Sequence, residues 1–226
     1  MKIGIMGTGI VGRSHAEKLT ELGHEVMIGT RSVEKTMAED KPDGMGNVPF
    51  RDWHKSNQTV KLGTFDEAAR FGEIVYDVLR GEVAVGVFAS LDKESLSGKI
   101  VVDIANALDF SQGMPPLLLV HDGNSLGEQL QKAIPGAKVV KTLNTVSAQL
   151  QTNPMMLNDG DHQVFMSGND PDAKKSVEAI LRSYGWKNIL DLGDITTARG
   201  TELLMPMWLR LWGALGTPLF NYKIIK

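Results

Sequence analysis

The 226-residue chain has no cysteine. That absence excludes disulfides, cysteine-ligated zinc and thiol catalysis, and it fits the reducing cytoplasm in which we expect the protein. Long apolar runs are also missing. The best candidate, residues 203–220, is broken by Pro206, Arg210 and Pro218, whereas a membrane span needs about 20 apolar residues. Excess charge of one sign is absent too: 24 basic against 27 acidic residues leave a net −3. Nothing therefore recruits nucleic acid or an anionic membrane. The N-terminus carries glycines where a signal peptide needs an apolar core. Metal-ligand spacing is lacking among His15, His24, His54, His121 and His162. His15 and His24 read as surface residues, and Asp159 to His162 as a polar turn without calcium-loop spacing. No Gly-x-Ser-x-Gly elbow occurs. The partners left by these exclusions are small molecules.

What is present is concentrated at the start. Residues 2–6 are short, apolar and β-branched, and predict a buried strand. Gly7-Thr8-Gly9-Ile10-Val11-Gly12 follows at once, and a helical pattern opens at Arg13. A Gly-x-Gly-x-x-Gly turn between strand and helix is a dinucleotide fingerprint. Gly7 permits the turn, Gly9 lets the backbone approach a pyrophosphate, and Gly12 lets helix and strand lie close. The helix N-terminus then offers N–H groups to phosphate. A second strand, residues 25–29, ends in Thr30-Arg31-Ser32 with Lys35 one turn on. NAD enzymes usually place a carboxylate here for the ribose 2′-hydroxyl. A guanidinium flanked by hydroxyls instead predicts NADP(H).

Strand and helix patterns alternate to about residue 141. They predict an α/β fold, a Rossmann-type doubly wound parallel sheet. Residues 41–58 read as loop and Trp53 as an anchor. Thr64 to Glu67 and Ser125 to Glu128 read as capping boxes. Residues 105–124, with Pro115 and Pro116, read as a long functional loop. We expect a dinucleotide-binding domain over 1–148 and a small C-terminal lobe over 149–226, to which the resemblance given below assigns acceptor and dimerisation. In that lobe, residues 200–215 predict one strongly apolar helix. Its Met205, Met207, Trp208 and Trp212 suit a core or a homodimer interface better than a cofactor box.

Three strand ends should converge on the carboxyl edge, where ligands bind. They are Leu79-Arg80, Ala105-Asn106 and Asn144-Thr145. None supplies an acid with an evident reason to titrate near neutrality. Hydride transfer between two rings needs positioning rather than a protein nucleophile. Asn144 can orient the carboxamide or the acceptor, or simply take the turn at the strand end; the resemblance described next favours the first.

Several stretches carry a resemblance. They are Gly7-Thr8-Gly9, Gly29-Thr30-Arg31-Ser32, Lys141 to Ala148 and Phe220-Asn221-Tyr222-Lys223, with Asp191 to Thr196, Ala198 to Glu202 and Leu211 to Pro218. Together they resemble the deazaflavin (coenzyme F-420)-dependent NADP oxidoreductases, the bacterial subgroup above all. The reductase domain of the membrane-bound metalloreductases is similar over the N-terminal three-quarters. The resemblance implies NADP on the Rossmann half, a deazaflavin or flavin-like ring against the small lobe, hydride exchange between them, and a homodimer. It maps Thr8, Ile10, Val11, Thr30, Arg31, Ser32 and Lys35 to NADP contacts. It maps Asn144, Thr145, Val146 and Ala148 to the floor under the nicotinamide. Archaeal members carry His-Thr-Ile-Pro where this chain has Asn144 to Ser147. The alternatives are an NADPH-dependent carbonyl or imine reductase, which needs a proton donor in its cleft, and a non-catalytic NADPH-binding redox sensor.

Overall fold

The protein is described from a computed structural model that covers residues 1–43, 46–109, 111–113, 116–120 and 123–226. Gly44, Pro115 and His121 lie outside the described residues. The chain begins β1 (Lys2–Met6), α1 (Ile10–Glu21), β2 (Glu25–Thr30), α2 (Val33–Ala38) and α3 (Phe50–Ser56). It continues β3 (Lys61–Thr64), α4 (Phe65–Phe71), β4 (Ile74–Asp77), α5 (Gly81–Ser90), α6 (Lys93–Leu96) and β5 (Ile100–Asp103). Next come β6 (Leu108–Asp109), β7 (Leu117–Leu118), α7 (Leu126–Ala133), β8 (Lys138–Thr142) and α8 (Ala148–Thr152). The last elements are β9 (Gln163–Gly168), α9 (Pro171–Ser183), β10 (Asn188–Gly193), α10 (Ala198–Leu203) and α11 (Met205–Leu215).

Eight strands form one sheet in the order β10-β9-β8-β5-β4-β1-β2-β3. Its strands run parallel save at one seam, where β9 pairs antiparallel with β8. The expected parallel sheet is formed by β1–β5 and β8, and β9 adds the antiparallel seam. The link from β8 to β9 holds only α8 and two short 3-10 turns, and it returns the chain on the same edge rather than crossing over the sheet. The β9–β10 pair, joined through α9, is parallel again. Strands β9 and β10 thus continue the sheet formed by β1–β5 and β8.

Helices cover both faces, and the strands are apolar on both sides as such sheets require. One core joins Ile3, Ile5 and Tyr76 to Leu19 of α1, Leu150 of α8 and Val177 of α9. The other joins Met6, Val75 and Val101 to Ala68, Phe88 and Leu130 of α4, α5 and α7. Two strand glycines are explained by the second layer. A Cβ on Gly4 would lie 2.2 Å from the Ala68 carbonyl, and one on Gly29 would lie 2.9 Å from the Ala68 Cβ.

Three further expectations change. The stretch 41–58 is not all loop, because Pro49 opens α3 and Trp53 donates to Glu17 of α1 at 2.5 Å. The stretch 105–124 contains a two-stranded antiparallel ribbon, β6–β7. The helix expected over 200–215 is two, α10 and α11, with Pro206 in the first turn of the second. Proline suits a helix start and interrupts a helix interior. The Thr64 capping box forms as expected. Ser125 caps α7 through the Glu128 N–H. Among the described residues, no helix is long and apolar enough to cross a membrane.

Candidate active site

The glycine turn closes β1 onto α1. Gly7 has φ +131°, in the region open to glycine. A Cβ on Gly12 would lie 2.3 Å from the Gly7 carbonyl oxygen. Gly9 is the N-cap of α1 and has no side chain to satisfy the first turn. A Cβ there would meet nothing within 4 Å, so the approach to these N–H groups is open. Arg13 braces the turn, a role that its sequence position did not announce. Its Nε donates to the Thr8 carbonyl at 2.8 Å and its Nη1 to the Val48 carbonyl at 2.5 Å. Burial lowers its pKa, while Asp43 and Glu17 oppose that shift.

At the end of β2, Thr30 Oγ1 pairs with Thr36 Oγ1 at 2.8 Å. Ser32 Oγ caps α2 by accepting from the Lys35 N–H at 3.2 Å. Its hydroxyl proton remains free for another acceptor. Arg31 and Lys35 are exposed, and no ion pair holds Arg31 among the described residues.

A cleft of about 770 Å³ opens along the carboxyl edge, within the size range of cofactor pockets. Ile10 and Val11 of α1 line it, with Val78-Leu79 after β4 and Ile104 to Asn106 after β5. Asn144, Val146, Ser147 and Ala148 after β8 line it too. The opposite wall is Met205, Trp208, Leu209 and Trp212 of α11, with Pro218 beyond. The two tryptophans, read from sequence as core or interface, thus face ligand space. Trp208 is backed by Phe220, whose ring centre is 5.2 Å away. Among the described residues that line the cleft, none has a titratable side chain: Asn47, Asn106, Asn144, Gln149, Gln151 and Ser147 are the polar members.

Asn144 is held through its side-chain Nδ2 and its backbone carbonyl. Its Nδ2 donates to Asn106 Oδ1 at 3.1 Å and to the Thr201 carbonyl at 3.2 Å. Its carbonyl accepts from Asn106 Nδ2 at 2.8 Å. Thr145 is buried and does not line the cleft. Arg80 caps the start of α5, is exposed, and pairs with Glu82 at 2.9 Å outside the cleft lining.

Beneath the cleft lies a charge cluster that our sequence reading missed. Asp77, Asp103 and Lys141 sit in the last turns of β4, β5 and β8, all fully buried. Lys141 Nζ contacts Asp103 at 3.0 Å, Glu202 at 3.2 Å and the Ala105 carbonyl at 2.5 Å. Burial alone would depress the Lys141 pKa, but Asp103 and Glu202 outweigh it and raise it. Burial, then the charge of Asp103, pushes the Asp77 carboxyl well above the usual range. Glu202 also accepts from the Leu126 and Gly127 N–H groups at the start of α7, at 2.7 and 3.1 Å. The signal was a charged residue closing each of three apolar strands.

His15 is fully buried, which corrects its surface assignment. It contacts Tyr184 OH and Gln151 Oε1, both at 3.1 Å. Burial brings its pKa down to about 4, so it is neutral at pH 7.

A glycine turn opening onto a helix N-terminus, a phosphate-suited strand end and a cleft across the strand ends define an NADP-dependent oxidoreductase. A family signature described as NADP oxidoreductase, coenzyme F420-dependent, matches residues 2–107. The F420-dependent NADP reductase of Methanocaldococcus jannaschii is 30% identical over 214 residues, covering 93% of this chain and 92% of that protein. The chain belongs to this oxidoreductase family. A solved chain from Arthrobacter sp. FB24, provisionally named an F420-dependent NADP reductase, is 50% identical, with TM-score 0.95 and 100% coverage of both chains. Metalloreductase STEAP3 of Rattus norvegicus is 28% identical over 92% of this chain, which spans only 38% of that protein's length.

Proposed function

We propose that the protein passes hydride between NADPH and a deazaflavin or flavin-like ring in this cleft. The observation that supports the reading is a cleft of about 770 Å³ in which no described lining residue carries a titratable side chain. Reduction of a carbonyl or imine needs a proton donor near the reacting atom. Transfer from ring to ring needs alignment and exclusion of water. The apolar wall of Met205, Leu209, Trp208 and Trp212 supplies both.

The residues fit the dinucleotide. The open space at Gly9 and the α1 N–H groups suit a pyrophosphate. Arg31, the Ser32 hydroxyl and Lys35 suit a 2′-phosphate. Ile10, Val11 and Leu79 give the ribose and ring an apolar bed. Asn144 and Asn106, each fixing the other, present amides to the carboxamide. When bound, the nicotinamide supplies the hydride; the chain supplies only geometry and dryness. In this reading, residues 1–148 hold the nucleotide and 149–226 supply the acceptor wall.

The test mixes the protein and NADPH with deazaflavin coenzyme, FMN, FAD, ferric chelate, or a ketone with an amine, and follows nicotinamide oxidation. Oxidation with a ring acceptor and none with the ketone and amine is expected. Oxidation by the ketone and amine alone would overturn the reading, and inertness towards every acceptor would favour a sensor.

A further inference from the structure

Between the cleft floor and α1 runs a buried polar chain that the hydride reading leaves unused. It begins at Leu143, a fully buried non-glycine residue with φ +60°. A bulky side chain in the left-handed region is strained and persists only where its surroundings hold it. Asn144 is the next residue, so this turn, together with Asn106 and Thr201, sets where the Asn144 amide sits.

The holding group is Gln151 of α8. Its Nε2 donates to the Leu143 carbonyl at 3.1 Å and to the Val146 carbonyl at 2.9 Å. Both ends of the 143–146 turn are thus tied to one amide. With both Nε2 hydrogens spent on carbonyls, Oε1 can only accept. Its partner is His15 Nε2, which must therefore carry the ring proton. His15 Nδ1 is then an acceptor, served by the Tyr184 hydroxyl. Tyr184 in turn accepts from Tyr76 at 3.5 Å. Every proton in the chain has one direction. Turning the Gln151 amide over would set its oxygen against two carbonyl oxygens.

We propose that Gln151 is a positioning residue for hydride transfer: held by His15 of the phosphate-binding helix, it fixes the left-handed turn at Leu143 and so aims Asn144 at the nicotinamide. This rests on the nucleotide orientation proposed above. It makes α1 the common support of both ends of the cofactor, because the helix that receives the pyrophosphate also carries the donor that locks the ring floor.

The test separates the two ends of the nucleotide. Adenosine 2′,5′-bisphosphate carries the 2′-phosphate and lacks the nicotinamide. By calorimetry, Gln151→Met should leave its affinity within about twofold, while NADPH weakens about tenfold, the scale of one net hydrogen bond. Single-turnover hydride transfer to deazaflavin should fall by more than the NADPH affinity does. His15→Gln, which keeps an N–H donor, should retain more of the NADPH preference than His15→Leu. This pair gives the same readout should Gln151→Met fail to fold. A merely structural role would lower the melting temperature and weaken both ligands in proportion. A folded Gln151→Met, or His15→Leu, with the wild-type ratio of the two affinities overturns the inference while the reading of the cleft stands. If the wild-type protein binds the bisphosphate and NADPH equally, the ring is not held, and the orientation falls together with the inference.

Discussion

Arg31 stands where a carboxylate would choose NAD, and it is exposed with no ion pair among the described residues. A charge-assisted hydrogen bond is worth ~1.5–3 kcal/mol, so Arg31→Ala should weaken NADPH binding about tenfold to a hundredfold. NADH binding should hardly change; equal losses in calorimetry would contradict the assignment. Asn144 predicts the opposite split. Its amide is tied to Asn106 and Thr201 rather than placed at the phosphate turn. Asn144→Ala should therefore slow single-turnover hydride transfer more than it weakens NADPH binding; a larger loss in binding would make it an anchor instead. What Gly7, Gly9, Arg31 and Asn144 bind is the proposal made above; their places at strand ends were legible because apolar strand patterns precede them. His15 was not. Its partners Gln151 and Tyr184 lie 136 and 169 residues further on, and nothing in Arg13-Ser14-His15 records which face of α1 they cover. Asp77, Asp103 and Lys141 lie between these cases: their positions were visible, but their mutual contact depends on the strand order.

At the scale of elements, α1, α8 and α9 meet at His15, and that junction is sensitive to pH. The folded pKa is lowered from 6.5 to about 4. Between those values the unfolded chain binds more protons, so the stability is full above pH 6.5 and is lost as the pH falls towards 4. Two to three pKa units correspond to roughly 3–4 kcal/mol. His15→Gln should flatten the acid limb of a plot of melting temperature against pH, and an unchanged limb would place the titration elsewhere. The helix α11 gives a second prediction. Its inner face lines the cleft, while Met207 and Leu215 are exposed, as is Leu203 at the end of α10. We propose that these residues meet a second copy of the chain about a two-fold axis. Wild-type protein should then scatter light as a dimer, and Met207→Asp as a monomer with a similar melting temperature; a monomeric wild type would refute the idea. Helices with a single apolar stripe and a cap, such as α4 with its Thr64–Glu67 box, were readable almost residue by residue. The break between α10 and α11 was missed because apolar periodicity runs across Pro206, although proline itself was the warning.

For the whole molecule, alternation of strand and helix predicted the doubly wound sheet, because each crossover is a local event. The direction of β9 was hidden, since it depends on how α8 and the short turns reverse the chain rather than on the apolar pattern of the strand. The seam matters for how the parts depend on one another. Lys141 lies in β8, yet one of its two carboxylates, Glu202, comes from α10 and also caps α7. Removing one partner of a buried charge pair costs about 3–5 kcal/mol, a large share of a typical stability of roughly 5–15 kcal/mol. A fragment ending at residue 148 should therefore fail to fold by circular dichroism. The full chain should melt in one transition by both tryptophan fluorescence and far-ultraviolet dichroism; two separated transitions would show independent halves. Modular exchange is constrained in the same way. Another C-terminal region grafted onto residues 1–148 must bring its own carboxylate to the place of Glu202, or arrive with a neutral residue in place of Lys141.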